Sequence, residues 1–258
     1  LGLFREVVEQ TCDTALEYHF DLHGEPTLHP ELPQMIEHVA SAEAKALLYS
    51  NFSQKKDSLT DALAESAAEQ IIVNVGGADT TSYAANSGTG DLDLVLHNLR
   101  RFRETRDRLN KKRPHLVVTF VRTRLNSTSL DQARRAYEPL CDLFSSPEMH
   151  DWLGVGAIRD VGEGSQGSTR SFNRCSRLWT GVTVLWDGRL AACCYDYNGE
   201  LILGDLKEDT VGDLWSSHRM RALRRKNFEH APCNRCDNPD PQFSVGNTIF
   251  RLRAALGR

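Results

Sequence analysis

Four cysteines in the last third of the chain have the residue type and the spacing that suit a metal centre. They are Cys175, Cys193, Cys233 and Cys236. A Cys-x-x-Cys turn brings two thiolates to one centre, and the other two cysteines flank a predicted hairpin, so all four can close on one site. Four thiolates satisfy either a [4Fe–4S] cluster or tetrahedral zinc. The spacing therefore predicts a metal site and leaves open which of the two it holds.

A further cysteine, Cys194, directly follows one of these candidate ligands. Because successive residues of a strand point to opposite faces, only one of the neighbours is expected to face the site, and we expect it to be Cys193. Cys194 is then predicted to be a small buried hydrophobic residue. Cys12 and Cys141 fall on predicted helical faces and are expected to lie in the core.

The composition is that of a folded protein without a dominant charge. The chain has 258 residues, 40% of them hydrophobic and 26% charged, with a formal net charge of −4. This length suffices for one large α/β domain or two smaller ones. The charge provides no basic field for nucleic acid or an anionic membrane, and no segment approaches the roughly 18 apolar residues of a membrane span. We therefore expect a soluble, cytoplasmic protein without a membrane or nucleic-acid partner.

Strands and helices alternate over residues 1–161. The predicted strands are residues 16–22, 46–49, 71–75, 116–121 and 152–158. The predicted helices begin near Leu3, Pro33, Ser58, Asp91 and Ser129. Ser58 is predicted to cap its helix, which runs to about Glu69, and Ser129 with Gln132 is predicted to form a capping box. The core face of the helix that this box opens is predicted to be Ala133, Ala136, Leu140, Cys141 and Phe144. Such alternation implies parallel strands joined by right-handed crossovers, hence a barrel or a doubly wound sheet.

A second type of pattern follows the glycine- and serine-rich loop 162–171, which is the predicted domain boundary. Alternating residues lead into Asp187-Gly188, a strong hairpin signal. A helix is predicted from Val211 to Lys226 with Thr210 as its N-cap, and its run of basic residues is expected to be a solvated face. The predicted domains are therefore residues 1–161 and 162–258.

The C-terminal pattern resembles the SPASM domain of radical S-adenosylmethionine (SAM) enzymes. The resemblance rests on the order of five elements: Cys175, Gly188 followed by Cys193-Cys194, Gly204-Asp205, Leu214-Trp215, and Pro232-Cys233-Asn234-Arg235-Cys236. With its four candidate ligands, the pattern resembles the short, single-cluster variety, also called a twitch domain. The resemblance implies that Cys175, Cys193, Cys233 and Cys236 hold an auxiliary [4Fe–4S] cluster.

The segment His23-Gly24-Glu25-Pro26 resembles the GGEP motif of the same superfamily, with His23 in place of the first glycine. In that family the segment receives the amino group of SAM. The chemistry suits the residues, because Gly24 permits close backbone approach and Glu25 can accept from an ammonium. The implied fold is α/β: a partial (β/α)6 TIM-like radical SAM barrel that lacks its first strand, then a small α+β SPASM domain with a hairpin and a helix.

Three further residues resemble SAM-contacting positions of the family. Asn51 ends the next predicted strand, Asn74 ends the one after it, and Arg122 follows the strand 116–121. Chemistry in barrels gathers at the C-terminal ends of strands, where these residues and Asn126 are expected. A surface role for Arg122 stays open.

The sequence contains no Cys-x-x-x-Cys-x-x-Cys spacing, the motif through which the family binds its catalytic [4Fe–4S] cluster. Because the chain opens on a predicted helix, we expect an upstream segment of the parent protein to carry that second cluster, and this chain alone to be inactive. The alternative is a degenerate, non-catalytic barrel with a zinc-stabilised four-cysteine domain that acts as a binding module.

The resemblance implies that the intact parent is an oxidoreductase or an enzyme that modifies a peptide or a small molecule. Such an enzyme uses the 5′-deoxyadenosyl radical derived from SAM to abstract hydrogen. The auxiliary cluster then serves substrate oxidation or anchoring, and an electron donor such as flavodoxin or ferredoxin is the implied partner. The residues do not identify the substrate.

Overall fold

The structure, a computed structural model, describes residues 1–22, 24–87, 91–149, 175–226, 229 and 231–236. Contacts divide the chain into two units, whose described parts are Leu1–Met149 and the residues from Cys175 onward. The predicted boundary between residues 161 and 162, the predicted strand 152–158 and His23 lie outside the described residues. Among the described residues, no helix combines the length and the apolar character needed to cross a membrane.

The first unit is a five-stranded parallel sheet in which each strand pairs with the next in chain order. Its strands are β1 (Glu17–Phe20), β2 (Lys45–Ser50), β3 (Gln70–Val75), β4 (His115–Phe120) and β5 (Leu143–Ser145). Its helices are α1 (Gly2–Thr11), α2 (Leu32–Ser41), α3 (Asp57–Glu65), α4 (Thr80–Ser87), α5 (Leu92–Arg108) and α6 (Leu130–Tyr137). A helix in every crossover confirms the predicted α/β architecture with parallel pairing.

The two faces of this sheet differ. On one face, alternate residues such as Ile71, Val73 and Val75 of β3 are buried in a single core together with residues of all six helices. The other face, which we call the inner face, carries the residues at the alternate positions of the middle strands. They are Leu47, Tyr49, Ile72, Asn74, Val117 and Thr119. Asn74 is exposed there, beside Thr119 of the neighbouring strand.

The fifth strand lies where the sequence predicts a helix. α6 ends at Tyr137, and Pro139 lies in the 3-10 turn Glu138–Leu140 that follows. Because proline disrupts a continuing helix, the chain turns and Phe144 enters β5 instead. The predicted burial is confirmed for Ala133, whereas Ala136, Leu140, Cys141 and Phe144 are partly buried against the core. α4 has no counterpart among the predicted helices.

Two predicted helix caps are wrong. Ser58 lies inside α3, whose N-cap position is Lys56, and α3 ends at Glu65 rather than near Glu69. The hydroxyl of Ser66 donates to the carbonyl of Leu63 at 2.8 Å, and Ser66 itself is extended, which ends the helix. Ser129 precedes α6 but makes no capping hydrogen bond, so the predicted capping box is not formed.

An ion pair joins α5 to Asp142, the residue directly before β5. Arg106 is buried, and its Nη2 donates to Oδ1 of Asp142 at 2.9 Å while Nη1 donates to the carbonyl of Pro114 at 2.9 Å. Oδ2 of Asp142 accepts from the backbone N–H of Leu116 at 2.7 Å. Burial alone would raise the pKa of Asp142, but Arg106 and the N–H of Leu116 hold it below its ordinary value.

Asp142→Asn should lower the free energy of unfolding at pH 7 by about 1 to 3 kcal/mol, because it removes the carboxylate that is hydrogen-bonded to the buried guanidinium of Arg106. Since the folded-state pKa is depressed, this contribution is present above the ordinary aspartate pKa of about 3.9 and is lost as the pH falls through the folded pKa. Urea unfolding between pH 7 and pH 3 measures it. Asp107→Asn is the control, because exposed Asp107 contacts the same arginine. An equal loss in both variants, or a loss independent of pH, would contradict the assignment.

The second unit contains a small antiparallel sheet and short helices. Its strands are β6 (Thr183–Val184), β7 (Arg189–Ala191) and β8 (Ile202–Asp205), in that order across the sheet. Its helices are α7 (Arg177–Thr180), α8 (Val211–Trp215) and α9 (His218–Lys226), and a 3-10 turn covers Cys233–Arg235. The predicted hairpin is confirmed, with Gly188 at its turn in the left-handed region (φ 95°) that favours glycine.

The predicted helix Val211–Lys226 is two helices, α8 and α9. The predicted N-cap is confirmed, because the hydroxyl of Thr210 accepts from the N–H of Asp213 at 3.1 Å. The expectation of a solvated basic face is wrong for Arg224, which is 9% exposed. Its guanidinium lies 3.9 Å from the ring centroid of Trp215 and donates to the carbonyl of Leu178 at 2.9 Å. The break between the helices lets this face of α9 pack on α7 and α8 instead of meeting water.

Candidate functional site

The carboxylate of Glu25 joins the chain that follows β1 to the end of β2. Its Oε1 accepts from the N–H of Thr27 at 3.1 Å, from the hydroxyl of Thr27 at 2.7 Å and from the hydroxyl of Ser50 at 2.7 Å. Its Oε2 accepts from the N–H of Asn51 at 2.8 Å. Because each carboxylate oxygen has about two lone-pair directions, Oε1 is fully used and Oε2 has room for one more donor. Glu25 is therefore a structural link that can also receive one ligand donor.

The loop after β2 is held firmly from inside the unit. Ser50 accepts from the N–H of Phe52 at 2.8 Å, and Phe52 is fully buried with φ of 57°. The buried side chain of Asn98 on α5 donates to the carbonyl of Phe52 at 2.9 Å. Asn51 is exposed, and its Oδ1 accepts from the N–H of Ser53 at 2.9 Å. These bonds fix the backbone around Asn51 while its side chain stays at the surface.

The structure brings four of the predicted SAM-contacting residues together, namely Gly24, Glu25, Pro26 and Asn51. Gly24 adopts φ of 100°, and a Cβ there would meet no atom within 4 Å, so the backbone conformation rather than space requires glycine. Pro26 begins a 3-10 turn directly after Glu25, and the bonds of Glu25 add Asn51. Asn74, exposed near the C-terminal end of β3, lies at the same edge of the parallel sheet. No bond joins Asn74 to the others in the described residues.

Arg122 is engaged elsewhere. Its Nη2 lies 3.0 Å from Oε1 of Glu148, and its Nε donates to the carbonyl of Ser146 at 3.1 Å. These contacts tie the end of β4 to the chain after β5, which is the surface role that the sequence left open. Asn126 is fully buried and donates to the carbonyl of Gly76 at 2.8 Å, so the expectation that it faces the mouth of the sheet is wrong.

The thiols of the second unit interact with one another. Burial, followed by the neighbouring Cys236 and Cys175, raises the pKa of Cys233 to about 12. A hydrogen bond with Cys194, followed by burial, raises the pKa of Cys193 well above its ordinary value. All five cysteines are half-buried and carry no disulfide. As they stand, no three metal-ligating side chains of the described chain are close enough together to hold an ion.

The two adjacent cysteines are arranged differently from the prediction. Cys193 and Cys194 lie in a turn after β7, not in a strand, and their thiols are hydrogen-bonded to each other. The sulfur of Cys193 accepts from the N–H of Tyr195 at 3.4 Å, and that of Cys194 accepts from Nη1 of Arg177 at 3.7 Å. Because the two residues are not in a strand, alternation does not place their side chains on opposite faces. The thiol of Cys194 is hydrogen-bonded to a guanidinium, so Cys194 does not act as the predicted buried hydrophobic residue. That Cys193 is the ligand stays a prediction.

Asp196 positions this turn, and the sequence reasoning missed it. Its side chain is buried, with Oδ1 accepting from the N–H of Glu200 at 2.8 Å and Oδ2 from that of Leu201 at 2.6 Å. Its own N–H donates to the carbonyl of Cys193 at 3.2 Å. The aspartate followed by Asn198-Gly199 is a turn signal that could have revealed this closed loop.

Gly204 and Trp215, which belong to the predicted pattern, both contribute to packing in the second unit. A Cβ at Gly204 would lie 2.5 Å from a methyl carbon of Leu214, so glycine lets α8 rest on β8 without displacing that side chain. Trp215, the next residue, covers the guanidinium of Arg224. Cys193 and Cys233 pack against the small core that these elements enclose. The glycine and the tryptophan therefore support the elements that carry the thiols.

The donor set fits a thiolate-bound metal centre. Cys193 and Cys233 pack against one apolar core, where burial and a neighbouring thiol raise the pKa of each, so both stay protonated without metal. A metal centre would supply the missing positive charge. Cys175, Cys193, Cys233 and Cys236 are the residues that would hold it, and their chemistry accepts iron–sulfur or zinc.

Comparisons with known proteins agree with this arrangement. Residues 175–237 match the SPASM family, an iron–sulfur cluster-binding domain. No curated protein matches the sequence significantly. The structure of BtrN in complex with AdoMet and 2-DOIA is similar with a TM-score of 0.57 and 15% identity, over 92% of this chain and 79% of that chain.

Two further solved structures share the fold. His-tagged anSMEcpe with bound AdoMet gives a TM-score of 0.61 at 12% identity, over 92% of this chain and 75% of that chain. SuiB of Streptococcus suis bound to S-adenosylmethionine gives 0.58 at 14% identity, over 86% of this chain and 60% of that chain. At these identities the similarity concerns the fold.

Proposed function

We propose that this chain, which carries a SPASM domain and has the fold of radical SAM enzymes, serves such an enzyme by holding an auxiliary [4Fe–4S] cluster on Cys175, Cys193, Cys233 and Cys236. The observation that carries the proposal is that Cys233 interacts with Cys236 and Cys175, and packs with Cys193 against one small core, within the segment that matches the SPASM family. Such a cluster supplies one-electron transfer. Four protein thiolates leave no open iron position for a substrate, which favours electron acceptance over anchoring.

The first unit provides the proposed SAM site. Glu25 keeps one acceptor position on Oε2, suited to the ammonium of SAM, and Gly24 and Pro26 shape the backbone beside it. Asn51 and Asn74 lie at the same edge of the sheet and are proposed to contact the rest of SAM. Arg122 is the weakest member of this set, because its guanidinium already binds Glu148 and Ser146.

The catalytic cluster and SAM supply hydrogen-atom abstraction in this proposal. The 258 residues contain no Cys-x-x-x-Cys-x-x-Cys spacing, so a segment outside them is proposed to hold that second cluster. The substrate is a small molecule or a peptide, and a flavodoxin or ferredoxin delivers electrons. A reducing compartment such as the cytoplasm suits seven cysteines without a disulfide.

Anaerobic reconstitution with iron and sulfide tests the proposal. We expect a brown protein with about four iron and four sulfide per chain, as a [4Fe–4S] cluster requires. Metal analysis and the visible absorption spectrum measure both quantities. Stoichiometric zinc without a visible chromophore after anaerobic purification would contradict the proposal and favour the zinc-stabilised binding module.

A further inference from the structure

Arg177 lies beside the thiols of the second unit. It is two residues after Cys175 and is the first residue of α7. Its Nη1 donates to the sulfur of Cys194 at 3.7 Å, and its Nη2 donates to the hydroxyl of Tyr195 at 3.5 Å. The guanidinium carbon is 4.5 Å from the ring centroid of Tyr195, so the ring and the sulfur together fix the position of the charge.

The charge of Arg177 faces sulfur rather than a carboxylate. Among the described residues, no carboxylate forms an ion pair with it, and its electrostatic partners are Tyr195, Cys194, Cys193 and Cys175. An arginine guanidinium stays protonated at every pH at which a protein is folded, so this charge is permanent.

Another arginine of the same unit, which is buried, has a purely structural role. Arg224 lies over Trp215 and Trp179 and donates to the carbonyls of Leu178 and Trp215. Those bonds brace the helices α7 and α8. Arg177 makes no such bond to a backbone carbonyl in the described chain, and both of its hydrogen bonds reach the turn that carries the candidate ligand Cys193. Packing alone does not require a guanidinium at that place.

We propose that Arg177 is a positioning residue that sets a fixed positive charge beside the auxiliary cluster and thereby raises its reduction potential. A nearby positive charge stabilises the reduced form, which carries one more electron, and charge and hydrogen bonds at the ligand sulfurs are known determinants of cluster potential. This role rests on the proposed function, because it requires a cluster on these thiols. It makes the cluster a better acceptor of an electron.

Redox titration of the reconstituted chain tests this role. Two neutral variants, Arg177→Gln and Arg177→Met, are compared with the wild type, with the charge-conserving Arg177→Lys, and with Arg221→Gln, which removes an exposed arginine of α9. In the neutral variants, the ratio of reduced to oxidised cluster at a fixed potential should fall at least tenfold, or about 59 mV for a one-electron couple. The lysine and Arg221 variants should stay within about threefold of the wild type, which corresponds to less than 59 mV.

The reduction potentials and the iron contents of these variants together decide whether Arg177 has this role. Equal potentials in the wild type and the neutral variants, with full iron in all, overturn the role of Arg177 and leave the proposed function intact. If the neutral variants bind no iron while Arg177→Lys does, Arg177 acts in the assembly of the cluster, and the role in setting its potential is overturned. Loss of iron in the lysine variant as well overturns it, because charge is then not the property that matters. A wild type that binds zinc and no iron overturns the proposed function first.

Discussion

Replacing Cys233 with alanine should abolish most of the iron that the reconstituted chain binds. Cys233 is partly buried against the core of the second unit and lies close to Cys236 and Cys175, as expected for one of four thiolates on one cluster. Loss of one of four thiolates leaves an iron open to water, and such a cluster is lost or incomplete. Iron and sulfide analysis, together with the visible absorbance per chain, measures the loss.

Two other cysteine variants serve as controls for this prediction. Cys141→Ala changes a thiol of the first unit and should leave the iron content unchanged. Cys194→Ala should also retain the cluster, whereas Cys193→Ala should lose it, if Cys193 is the ligand. The opposite result for this pair would exchange the two assignments. Full iron content in Cys233→Ala would remove the four-thiolate site itself.

Glu25→Gln should weaken SAM binding about tenfold to a hundredfold, because a charge-assisted contact to the ammonium is worth roughly 1.5 to 3 kcal/mol. The measurement is calorimetric titration of SAM into a longer protein that includes the segment for the catalytic cluster. The auxiliary iron should stay constant, because its thiols belong to the other unit. Unchanged affinity would make Glu25 a structural link only.

A matched variant separates the charge of Glu25 from its structural role. Glutamine has one acceptor oxygen, so Glu25→Gln also disturbs the bonds to Ser50 and Asn51. Ser50→Ala removes one of those bonds and keeps the carboxylate. We expect Ser50→Ala to weaken SAM binding much less than Glu25→Gln. An equal effect of the two would show that the position of the loop, and not the charge, controls affinity.

The central strands could be read from the sequence with an error of one residue at either end. The first apolar parts of β3 and β4, residues 71–73 and 116–118, are runs rich in β-branched residues, which is the pattern of a strand buried on both sides. β5 could not be found in this way. It has three residues, too few for a periodicity, and it becomes a strand because it pairs with β4 after Pro139 ends the helix.

The site was predictable only where spacing along the chain carries the chemistry. Ligand geometry limits the spacing of cysteines, so the four thiols were visible in the sequence. The bond between Glu25 and Ser50 depends on how β1 pairs with β2, which no local pattern records. Arg177 looks like any surface arginine until the turn after β7 places Cys194 and Tyr195 against it.

Along β3 and β4, residues that pack in the core alternate with residues of the inner face, so folding and recognition depend on different side chains. Ile71, Val73 and Val75 hold the sheet to its helices, and the exposed Asn74 between them contributes little to that packing. Substitutions at the partly exposed positions of the inner face are therefore expected to leave the core intact, and a library randomised at Tyr49, Asn74 and Thr119 would explore new specificities on the same fold. Relatives with the same architecture can diverge in what they act on while half of every strand is kept for stability.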